Sequence, residues 1–211
     1  MKIDIVSDIV CPWCIIGYQQ LTKALDSCGL TVNIHWHPFE LNRDMQPDGE
    51  HLRDHMMRKY GSTVEQSEQN RAHIVSVGAS LGIEMNYNEQ SRIYNTFDAH
   101  QLMHWANTLN RKHDLKLALM QAYFTEQLDI SARQVLIDTA ASIELPVEEA
   151  TAVLEDQRYA AAVREDESLW TSRGISGVPA VIINDKYLLS GAQGADNFAA
   201  AIKQIQSEQA I

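Results

Sequence analysis

Segments that favour β-strands occur only near the two ends of this 211-residue chain, and this distribution restricts its fold more than any other feature. Near the start, residues 2–7 and 31–37 are rich in β-branched residues, and the second segment alternates apolar with polar positions. Between them, a helix is predicted to begin at Pro12 and to run to about Ser27, with Gly29 as its stop. The order strand, helix, strand predicts two parallel strands with a right-handed connection.

The end of the chain has a second group of strand segments. Residues 180–184 and 187–191 predict two strands joined across Asn184-Asp185, a pair that can adopt the backbone of a tight hairpin turn. A last helix is predicted for residues 195–208. The chain therefore reads as βαβ at its start and ββα at its end, with helices in between.

Residues 41–170 are predicted to form six or seven helices with little strand. The helix boundaries are indicated by a capping box at Ser62-x-x-Glu65, by Gly61 and Gly82 at helix ends, by Ser131 as a cap and by Pro146 at a helix start. We therefore expect an α/β fold in which residues 1–40 and 171–211 form one domain and residues 41–170 form an inserted, all-helical domain. The last helix of the insertion could pack on the first domain.

Composition points to a soluble protein of the cytoplasm. The net charge is −11 and the isoelectric point is near 5.1, which opposes attraction to the phosphate backbone of nucleic acids. Hydrophobic residues make up 45% of the chain, and no segment approaches the roughly 20 apolar residues of a membrane span. The start, MKIDIVSD, lacks the apolar run of a secretory signal because Asp4 and Asp8 interrupt it. We expect neither nucleic acid nor a membrane as a partner.

Two of the three cysteines lie three positions apart, in the sequence Cys11-Pro12-Trp13-Cys14 where the first strand gives way to a helix. A thiolate is the reactive form of cysteine, and unpaired N–H groups and the helix dipole stabilise an anion in the first turn of a helix. We therefore expect Cys11 to be an ionised nucleophile that attacks a disulfide, and Cys14 to resolve the mixed disulfide. Pro12 stiffens this turn, and Trp13 places a flat apolar surface beside the sulfur.

Two other interpretations of the cysteine pair are structural. The C-x-x-C spacing could arise by chance in a buried helix, or the pair could bind zinc together with His35 and His37, since a second C-x-x-C is absent and tetrahedral zinc needs four ligands. The two histidines are more simply explained as residues on the polar face of an edge strand, so we expect no metal site. The third cysteine, Cys28, lies at the far end of the first helix and is expected to be a buried bystander.

Four segments of the chain carry a resemblance to a known family. They are SDIVCPWCIIG at residues 7–17, HPFELN at 37–42, NTFDAH at 95–100 and GISGVPAVIINDKYLLSGAQ at 174–193. With these segments the chain resembles, over nearly its whole length, the thioredoxin-fold proteins of the DsbA superfamily, and most closely the FrnE-like branch of dithiol-disulfide oxidoreductases. The first and last segments are highly specific. Arg43 departs from the pattern, because relatives often have proline there, but it lies at the entry to the helical region.

The resemblance implies roles for residues outside the cysteine motif. It implies a cis peptide bond between Val178 and Pro179 that faces the cysteines, with the backbone of Val178 free to pair with an extended substrate segment. It also brings Asn95 and His100 near the site. From the residues alone, Asn95 could simply cap a helix and His100 could be a packed surface histidine.

A buried acid is a further expectation, since many thioredoxin-like proteins place one on the first strand, beneath the buried cysteine, to manage its proton. Ile5 stands at that position, six residues before Cys11, so the role is unfilled or passes to Asp4 or Asp8. Asp8 is more simply explained as a residue that caps the following helix.

The resemblance implies a thiol-disulfide oxidoreductase that reduces or isomerises the disulfides of a protein or small-thiol substrate, since a reducing cytoplasm favours the dithiol. It requires no metal or organic cofactor, although glutathione could be a co-substrate. One alternative is a glutathione-dependent enzyme on the same scaffold, of the 2-hydroxychromene-2-carboxylate isomerase or kappa transferase type, which typically carries serine in place of Cys11. Another is a non-catalytic protein-binding module, which leaves the cysteine pair unexplained. The candidate residues are Cys11 and Cys14 for catalysis, Pro12, Trp13, Val178 and Pro179 for substrate binding, and Asp8, His37, Asn95 and His100 as further candidates.

Overall fold

Strands and helices follow each other along the chain in nearly the predicted order. The computed structural model describes residues 1–209. Its strands are β1 (Ile3–Ser7), β2 (Ile34–Pro38), β3 (Glu50–His51), β4 (Arg92–Ile93), β5 (Ala180–Ile183) and β6 (Tyr187–Ser190). Its helices are α1 (Pro12–Ser27), α2 (Leu52–Tyr60), α3 (Val64–Ser80), α4 (Phe97–Thr108), α5 (Lys112–Phe124), α6 (Arg133–Ser142), α7 (Val147–Asp156), α8 (Ala160–Ser172) and α9 (Ala195–Gln209). Within the described part of the chain, no helix has both the length and the apolar character needed to cross a membrane.

Both ends of the chain contribute to one four-stranded sheet with the order β2-β1-β5-β6. β1 is parallel to β2, where Ile3 pairs with Ile34, and antiparallel to β5, where Ile3 pairs with Ile183. The β5–β6 hairpin turns at Asn184 and Asp185, whose φ angles are 54° and 56°. Helices α1 and α9 pack against each other. The predicted βαβ and ββα units are confirmed, and we call the thioredoxin fold that they form the thioredoxin unit.

The seven helices between these two units, α2–α8, are called the helical block below. The block also contains a two-stranded antiparallel ribbon, β3–β4, which was not predicted because strands of two residues are too short to show an alternating pattern. Gly61 ends α2 in the left-handed conformation and Pro146 directly precedes α7, as predicted. β2 begins at Ile34, later than the predicted residue 31.

Two predicted helix caps are wrong. The capping box before α3 is formed by Thr63 and Gln66 rather than by Ser62 and Glu65. Oγ1 of Thr63 accepts a hydrogen bond from the Gln66 N–H at 3.2 Å, and Oε1 of Gln66 accepts one from the Thr63 N–H at 2.9 Å. Ser131 caps no helix, because the next helix, α6, begins without a side-chain cap. Adjacent hydroxyl residues look alike in the sequence, so the backbone conformation decides which one is the cap.

The helical block and the thioredoxin unit share one hydrophobic core. Its buried side chains run from Ile5 of β1 and Leu21 of α1 to Leu102 of α4 and Leu119 of α5. Helices α5 and α8 both pack against β2, which is an edge strand of the sheet. Residues of the helical block therefore approach the β1–α1 junction, where the two cysteines lie. The domain boundaries expected at residues 41 and 170 remain a prediction.

Candidate active site

Cys11 and Cys14 lie at the start of α1. The backbone of Cys11 is extended, with φ −87° and ψ 111°, and Pro12 follows as the first helical residue. Proline fits this position because its missing N–H would have had no partner within the helix. The Cys14 N–H donates to the Cys11 carbonyl oxygen at 3.0 Å, which closes the first turn. Both cysteines are free thiols, and their side chains are close enough for each to shift the pKa of the other.

The two sulfurs differ in their access. Cys11 is 4% exposed and lines a cavity, whereas Cys14 is 0% exposed and does not line it. The Cys11 thiol donates to the carbonyl oxygen of Val178 over a sulfur–oxygen distance of 3.7 Å. Cys11 is therefore the sulfur that a molecule in the cavity would meet.

The loop that carries Val178 and Pro179 faces the start of α1. The peptide bond between these two residues is cis. The Pro179 ring packs on α1 at Gly17, where an added Cβ would lie only 3.1 Å from Cγ of Pro179. Glycine at this position lets the helix and the proline loop approach closely. This contact keeps the Val178 carbonyl beside the Cys11 thiol.

A cavity of about 370 Å³ opens beside Cys11, between the start of α1 and helices α2 and α3 of the helical block. Its walls are mostly apolar and include Trp13, whose ring centre lies 6.0 Å from that of His73. Pro12 and Val178 also line the cavity, whereas the buried Pro179 does not. The other aliphatic lining residues are Val10, Leu41, Leu52, Met56, Ile74 and Ile93.

The two thiols shift each other's pKa in opposite directions. The hydrogen bond to the Cys14 sulfur, together with burial, raises the pKa of the Cys11 thiol well above its usual value. Burial also raises the pKa of the Cys14 thiol, but the hydrogen bond from Cys11 and the positive charge of Lys116 lower that pKa more, so that it falls below its usual value. These two directions favour the negative charge of the coupled pair on Cys14, where the cation Lys116 lies nearby. The ionised Cys11 expected from the sequence stays a prediction.

A carboxylate lies close to this pair. Asp8 is 0% exposed and accepts hydrogen bonds from the N–H groups of Ile9 at 2.7 Å and Leu41 at 2.8 Å. Nε2 of the buried His100 lies 3.4 Å from Oδ1 of Asp8 and 3.2 Å from the Phe39 carbonyl oxygen. Burial raises the pKa of Asp8, but its partners, His100 first among them, lower that pKa more. Asp8 is therefore not the helix cap that the sequence favours, and His100 is not a surface residue, because the two meet where the thioredoxin unit joins the helical block.

These features can be compared with those of known proteins. A family model described as a DSBA-like thioredoxin domain matches residues 2–203. The chain belongs to this family.

Relatives of this DSBA-like protein cover almost its whole length. The uncharacterized protein YwbO of Bacillus subtilis is 27% identical over 210 residues, which make up 99% of each chain. The crystal structure of a probable DsbA oxidoreductase from Streptomyces coelicolor has a TM-score of 0.93 and 30% identity, and the match covers 99% of this chain and 91% of that one. The cytosolic disulfide reductase DsbM of Pseudomonas aeruginosa, in a structure with glutathione, has a TM-score of 0.67 and 17% identity over 98% of this chain and 100% of DsbM. The likeness to DsbM is one of fold.

The DSBA-like protein also has a buried lysine near the cysteines that the sequence pattern did not reveal. Lys116 of α5 is 0% exposed, and its Nζ has no hydrogen-bond partner within residues 1–209. Nζ lies 5.5 Å from the centre of the Trp36 ring. Burial lowers the pKa of Lys116 to about 8, although the charges of Cys14 and Asp8 act to raise it. The signal that could have found this residue is a lone charge in the otherwise apolar run LKLALM.

Two predicted candidates lie away from the cavity. Nε2 of His37 is 2.9 Å from Oδ1 of Asp4, and Nδ1 is 3.2 Å from Oδ1 of Asp166, so both ring nitrogens have a carboxylate partner. Oδ1 of Asn95 accepts a hydrogen bond from the Phe97 N–H at 2.9 Å, at the start of α4. Neither His37 nor Asn95 lines the cavity. Asn95 is therefore not the N-cap that was the simpler alternative, because Thr96 occupies that position, and its side chain instead closes a local turn directly before α4.

The structure gives no support to the zinc interpretation of the cysteine pair. In the part of the chain that the structure describes, no group of three or more His, Cys, Asp or Glu side chains is arranged to hold a metal ion. The Cys11 thiol donates to the Val178 carbonyl oxygen, while both ring nitrogens of His37 have carboxylate partners. Cys28 is half-buried rather than fully buried, at the far end of α1.

Proposed function

We propose that this protein is a thiol–disulfide oxidoreductase in which Cys11 attacks a substrate disulfide and Cys14 resolves the mixed disulfide. The observation that carries the proposal is the difference in access, because Cys11 lines the cavity whereas Cys14, one helical turn further on, is buried and does not. A substrate can be captured at Cys11, and Cys14 is the neighbouring sulfur that can release it. Membership of the DSBA-like family supports the same chemistry.

The proton between the two sulfurs decides how the attack begins. In the singly ionised pair, Cys11 carries the proton and Cys14 the negative charge. When the Cys11 S–H turns from the Val178 carbonyl oxygen to the neighbouring Cys14 sulfur, transfer of its proton makes Cys11 the thiolate. Cys11 then attacks one sulfur of a disulfide RS–SR′, so that a Cys11–SR bond forms, the substrate S–S bond breaks, and R′S⁻ leaves and takes up a proton.

Cys14 completes the exchange. The positive charge of Lys116 stabilises the Cys14 thiolate once its proton has left. Cys14 attacks the Cys11 sulfur, the Cys11–Cys14 bond forms, and RS⁻ leaves and becomes RSH. Overall the substrate disulfide gains two electrons and two protons, which the cysteine pair loses.

The residues around Cys11 are suited to hold a substrate during these steps. Trp13 offers an apolar surface at the cavity, and the Val178 carbonyl beside Cys11 can accept a hydrogen bond from a substrate backbone once Cys11 has reacted. Pro179 acts through its packing on Gly17, which keeps Val178 in place. The fold shared with DsbM, solved with glutathione, supports glutathione as a co-substrate that returns the oxidised pair to the dithiol. In a reducing cytoplasm such a cycle runs as disulfide reduction or isomerisation.

Trapping of the mixed disulfide tests the proposal. We expect Cys14→Ser, incubated with oxidised glutathione, to lose turnover and to accumulate one glutathione at Cys11, as seen by peptide mass spectrometry. Cys11→Ser should form no adduct, and Cys28→Ser, which removes the cysteine at the far end of α1, should keep full turnover. Equal labelling of Cys28 would contradict the assignment. A chromene-carboxylate isomerase activity that survives Cys14→Ser would favour the glutathione-dependent alternative instead.

A further inference from the structure

The cavity beside Cys11 has a histidine in its wall that the proposed exchange has not used. His55 of α2 lines the cavity and is 2% exposed. Its Nδ1 lies 2.7 Å from Oε2 of Glu50, which is itself held by Nε of Arg58 at 2.8 Å and by its terminal nitrogen at 2.6 Å. The order arginine, carboxylate, imidazole fixes the ring through Nδ1, which also lies 3.4 Å from the terminal nitrogen of Arg58, and all three residues line a second cavity beside the one at Cys11.

The hydrogen bond to Glu50 decides which nitrogen of His55 carries the proton. The hydrogen bond from Arg58 holds the pKa of Glu50 at about 2, so the carboxylate is ionised and can only accept. A contact of 2.7 Å between Nδ1 and this acceptor therefore requires the proton on Nδ1. Nε2 is left with a lone pair, and it has no hydrogen-bond partner within residues 1–209 and is not sealed from solvent.

His55 is neutral at neutral pH. Burial lowers its pKa below the usual value, and the charges of Lys59 and Arg58 act in the same direction, whereas Glu50 raises it. The titratable and charged side chains that surround the ring and the cavity are Glu50 from β3, Arg58, Lys59 and Tyr60 from α2, Arg71 from α3, Cys11 from α1, Tyr87 from the loop before β4 and Tyr123 from α5. A neutral imidazole with a free Nε2 is a base able to accept a proton.

The proton that this base could accept does not belong to the cysteine pair. The Cys11 thiol already has two partners, Cys14 and the Val178 carbonyl, and His55 is hydrogen-bonded to neither cysteine. The remaining acidic group in thiol–disulfide exchange is the thiol of the substrate. In an apolar cavity an unassisted thiol ionises poorly, because burial disfavours the charged form.

The cavity also restricts what kind of thiol can enter. Its volume of about 370 Å³ is that of a small-molecule site. Arg71 lines the cavity and forms no hydrogen bond or ion pair with residues 1–209, so a positive charge faces a mostly apolar space. A small thiol with an anionic group fits this combination of size, apolar surface and charge.

We propose that His55 is the general base that takes the proton of a small, anionic thiol bound beside Cys11. The inference rests on the proposed exchange through Cys11 and Cys14 and adds a catalytic residue to it. The thiol gives its proton to Nε2, and its sulfur attacks Cys11 in the oxidised pair. A disulfide forms between the thiol and Cys11, the Cys11–Cys14 bond breaks, and Cys14 leaves as the thiolate. In the reverse direction the imidazolium returns the proton to the departing thiolate.

The pH profile of His55→Asn tests this role. The oxidised protein is mixed with 3-mercaptopropionate, and the thiols set free are counted by alkylation after rapid quenching. Asparagine keeps a donor for Glu50 but has no base, so we expect the reaction to slow about 10²-fold near pH 7. The loss should vanish above the pKa of the thiol, where the thiolate is already present. His104→Asn, in a half-buried histidine of α4 that does not line the cavity, should retain the wild-type profile.

Rescue of a variant by free imidazole distinguishes a catalytic role of His55 from a role in packing. In His55→Ala, free imidazole should restore the rate near pH 7, because the vacated space can hold the missing base. An equal loss at every pH, or a variant that imidazole does not rescue while its thermal midpoint is unchanged, would overturn the role of His55. If the wild-type protein itself exchanges no disulfide with the thiol, the proposed function has failed rather than the inference about its base.

The charge of Arg71 is tested by comparing two thiols. Wild-type protein should react faster with 3-mercaptopropionate than with 2-mercaptoethanol, after correction for the pKa of each thiol. Arg71→Gln should lose this preference, and Arg53→Gln, which alters an arginine paired with Glu68 outside the cavity, should keep it. The same preference in both variants would contradict an anion-binding role for Arg71.

Discussion

The thioredoxin unit and the helical block contribute different things to the cysteine pair. The thioredoxin unit supplies backbone geometry, with Cys11 extended before Pro12 and with Pro179 packed on Gly17. The helical block supplies charged side chains and side chains that can take up or release a proton. Lys116 of α5 lies near Cys14 and His100 of α4 meets Asp8, while His55 of α2 and Arg71 of α3 line the cavity.

This difference indicates which property each region controls. The position of the sulfurs depends on a short local segment and one loop that packs against it. Their proton affinities depend on buried charges that arrive from distant helices, where the low dielectric makes each charge count more than it would in water. Substitutions that add or remove bulk in the thioredoxin unit should therefore change stability similarly at all pH values, whereas substitutions of charges from the helical block should change pH dependence.

Asp8→Ala should have the largest effect, because Asp8 is where the two regions meet. Its removal leaves the N–H groups of Ile9 and Leu41 without their buried acceptor and leaves His100 with the Phe39 carbonyl oxygen alone. Each buried donor left without a partner costs about 1–3 kcal/mol, so the total should be about 3–5 kcal/mol. We expect urea denaturation at pH 7 to show a fall of this size in the free energy of unfolding. Asp26→Ala, at an exposed position of α1, should change it by less than about 0.5 kcal/mol. A fall of under about 1 kcal/mol for Asp8→Ala would show that this junction contributes little to stability.

Lys116→Met should stabilise the fold and make the thiol pair less reactive. Replacement of a buried charge by an apolar side chain of similar size is often stabilising, here by about 1–3 kcal/mol at pH 7. Because the pKa of Lys116 is lowered from 10.5 to about 8, wild-type stability should rise as the pH increases across that interval. The rise should be absent in the variant.

The same substitution should make the thiol pair less acidic, since the positive charge that stabilises the Cys14 thiolate is gone. The pH profile for alkylation of the pair by iodoacetamide should move to higher pH. An unmoved profile would mean that the helical block does not control the thiol charge. Lys23→Met, at an exposed position of α1, is the matched control.

Gly17→Ala should test the geometric contribution of the thioredoxin unit. The new Cβ would approach Cγ of Pro179 to 3.1 Å, so that the helix or the proline loop must shift. Overpacking of this kind costs about 1–3 kcal/mol, and the higher helix propensity of alanine offsets up to about 1 kcal/mol of it. We expect the same net loss of unfolding free energy at pH 6 and pH 9. Gly177→Ala, in the same loop but with no atom within 4 Å of the added Cβ, should be nearly neutral. A loss that varies with pH would weaken the division of roles between the regions.

Glu40→Gln should have the smallest effect on stability. It tests whether a carboxyl group at the junction between β2 and the helical block makes stability depend on pH. Burial, and then the charge of Glu167, raise the pKa of Glu40 from 4.5 to about 7, although Arg164 opposes them. A carboxyl group with a raised pKa makes wild-type stability fall as the pH rises from about 4.5 to about 7.

The variant should lose this fall, and the difference should be about 1 kcal/mol because the partly exposed Arg164 lets water screen the site. Thermal midpoints measured at several pH values would show it, with Glu155→Gln at an exposed position of α7 as the control. A wild-type slope that persists in Glu40→Gln would assign the pH dependence to other groups.

Much of the thioredoxin unit could be predicted because its signals are local. The strand segments, Pro12 at the start of α1 and the Asn184-Asp185 turn all depend on residues within a few positions of each other. Predictions failed where neighbouring residues offered equivalent choices, as at the capping box of Thr63, or where an element was too short to have a pattern, as in β3 and β4. Asp8 was mistaken for a helix cap because its true partners, Leu41 and His100, are far away in the sequence.

The sequence by itself determined that two thiols one helical turn apart follow a buried strand, and that both chain ends build one sheet. Only the tertiary structure decided that Cys11 lines the cavity and Cys14 does not, that Lys116 lies close to Cys14 and His100 to Asp8, and that His55 reaches the cavity. The physical reason is that secondary structure depends on nearby residues and their periodicity. A proton affinity depends on burial and on distances to charges from any part of the chain.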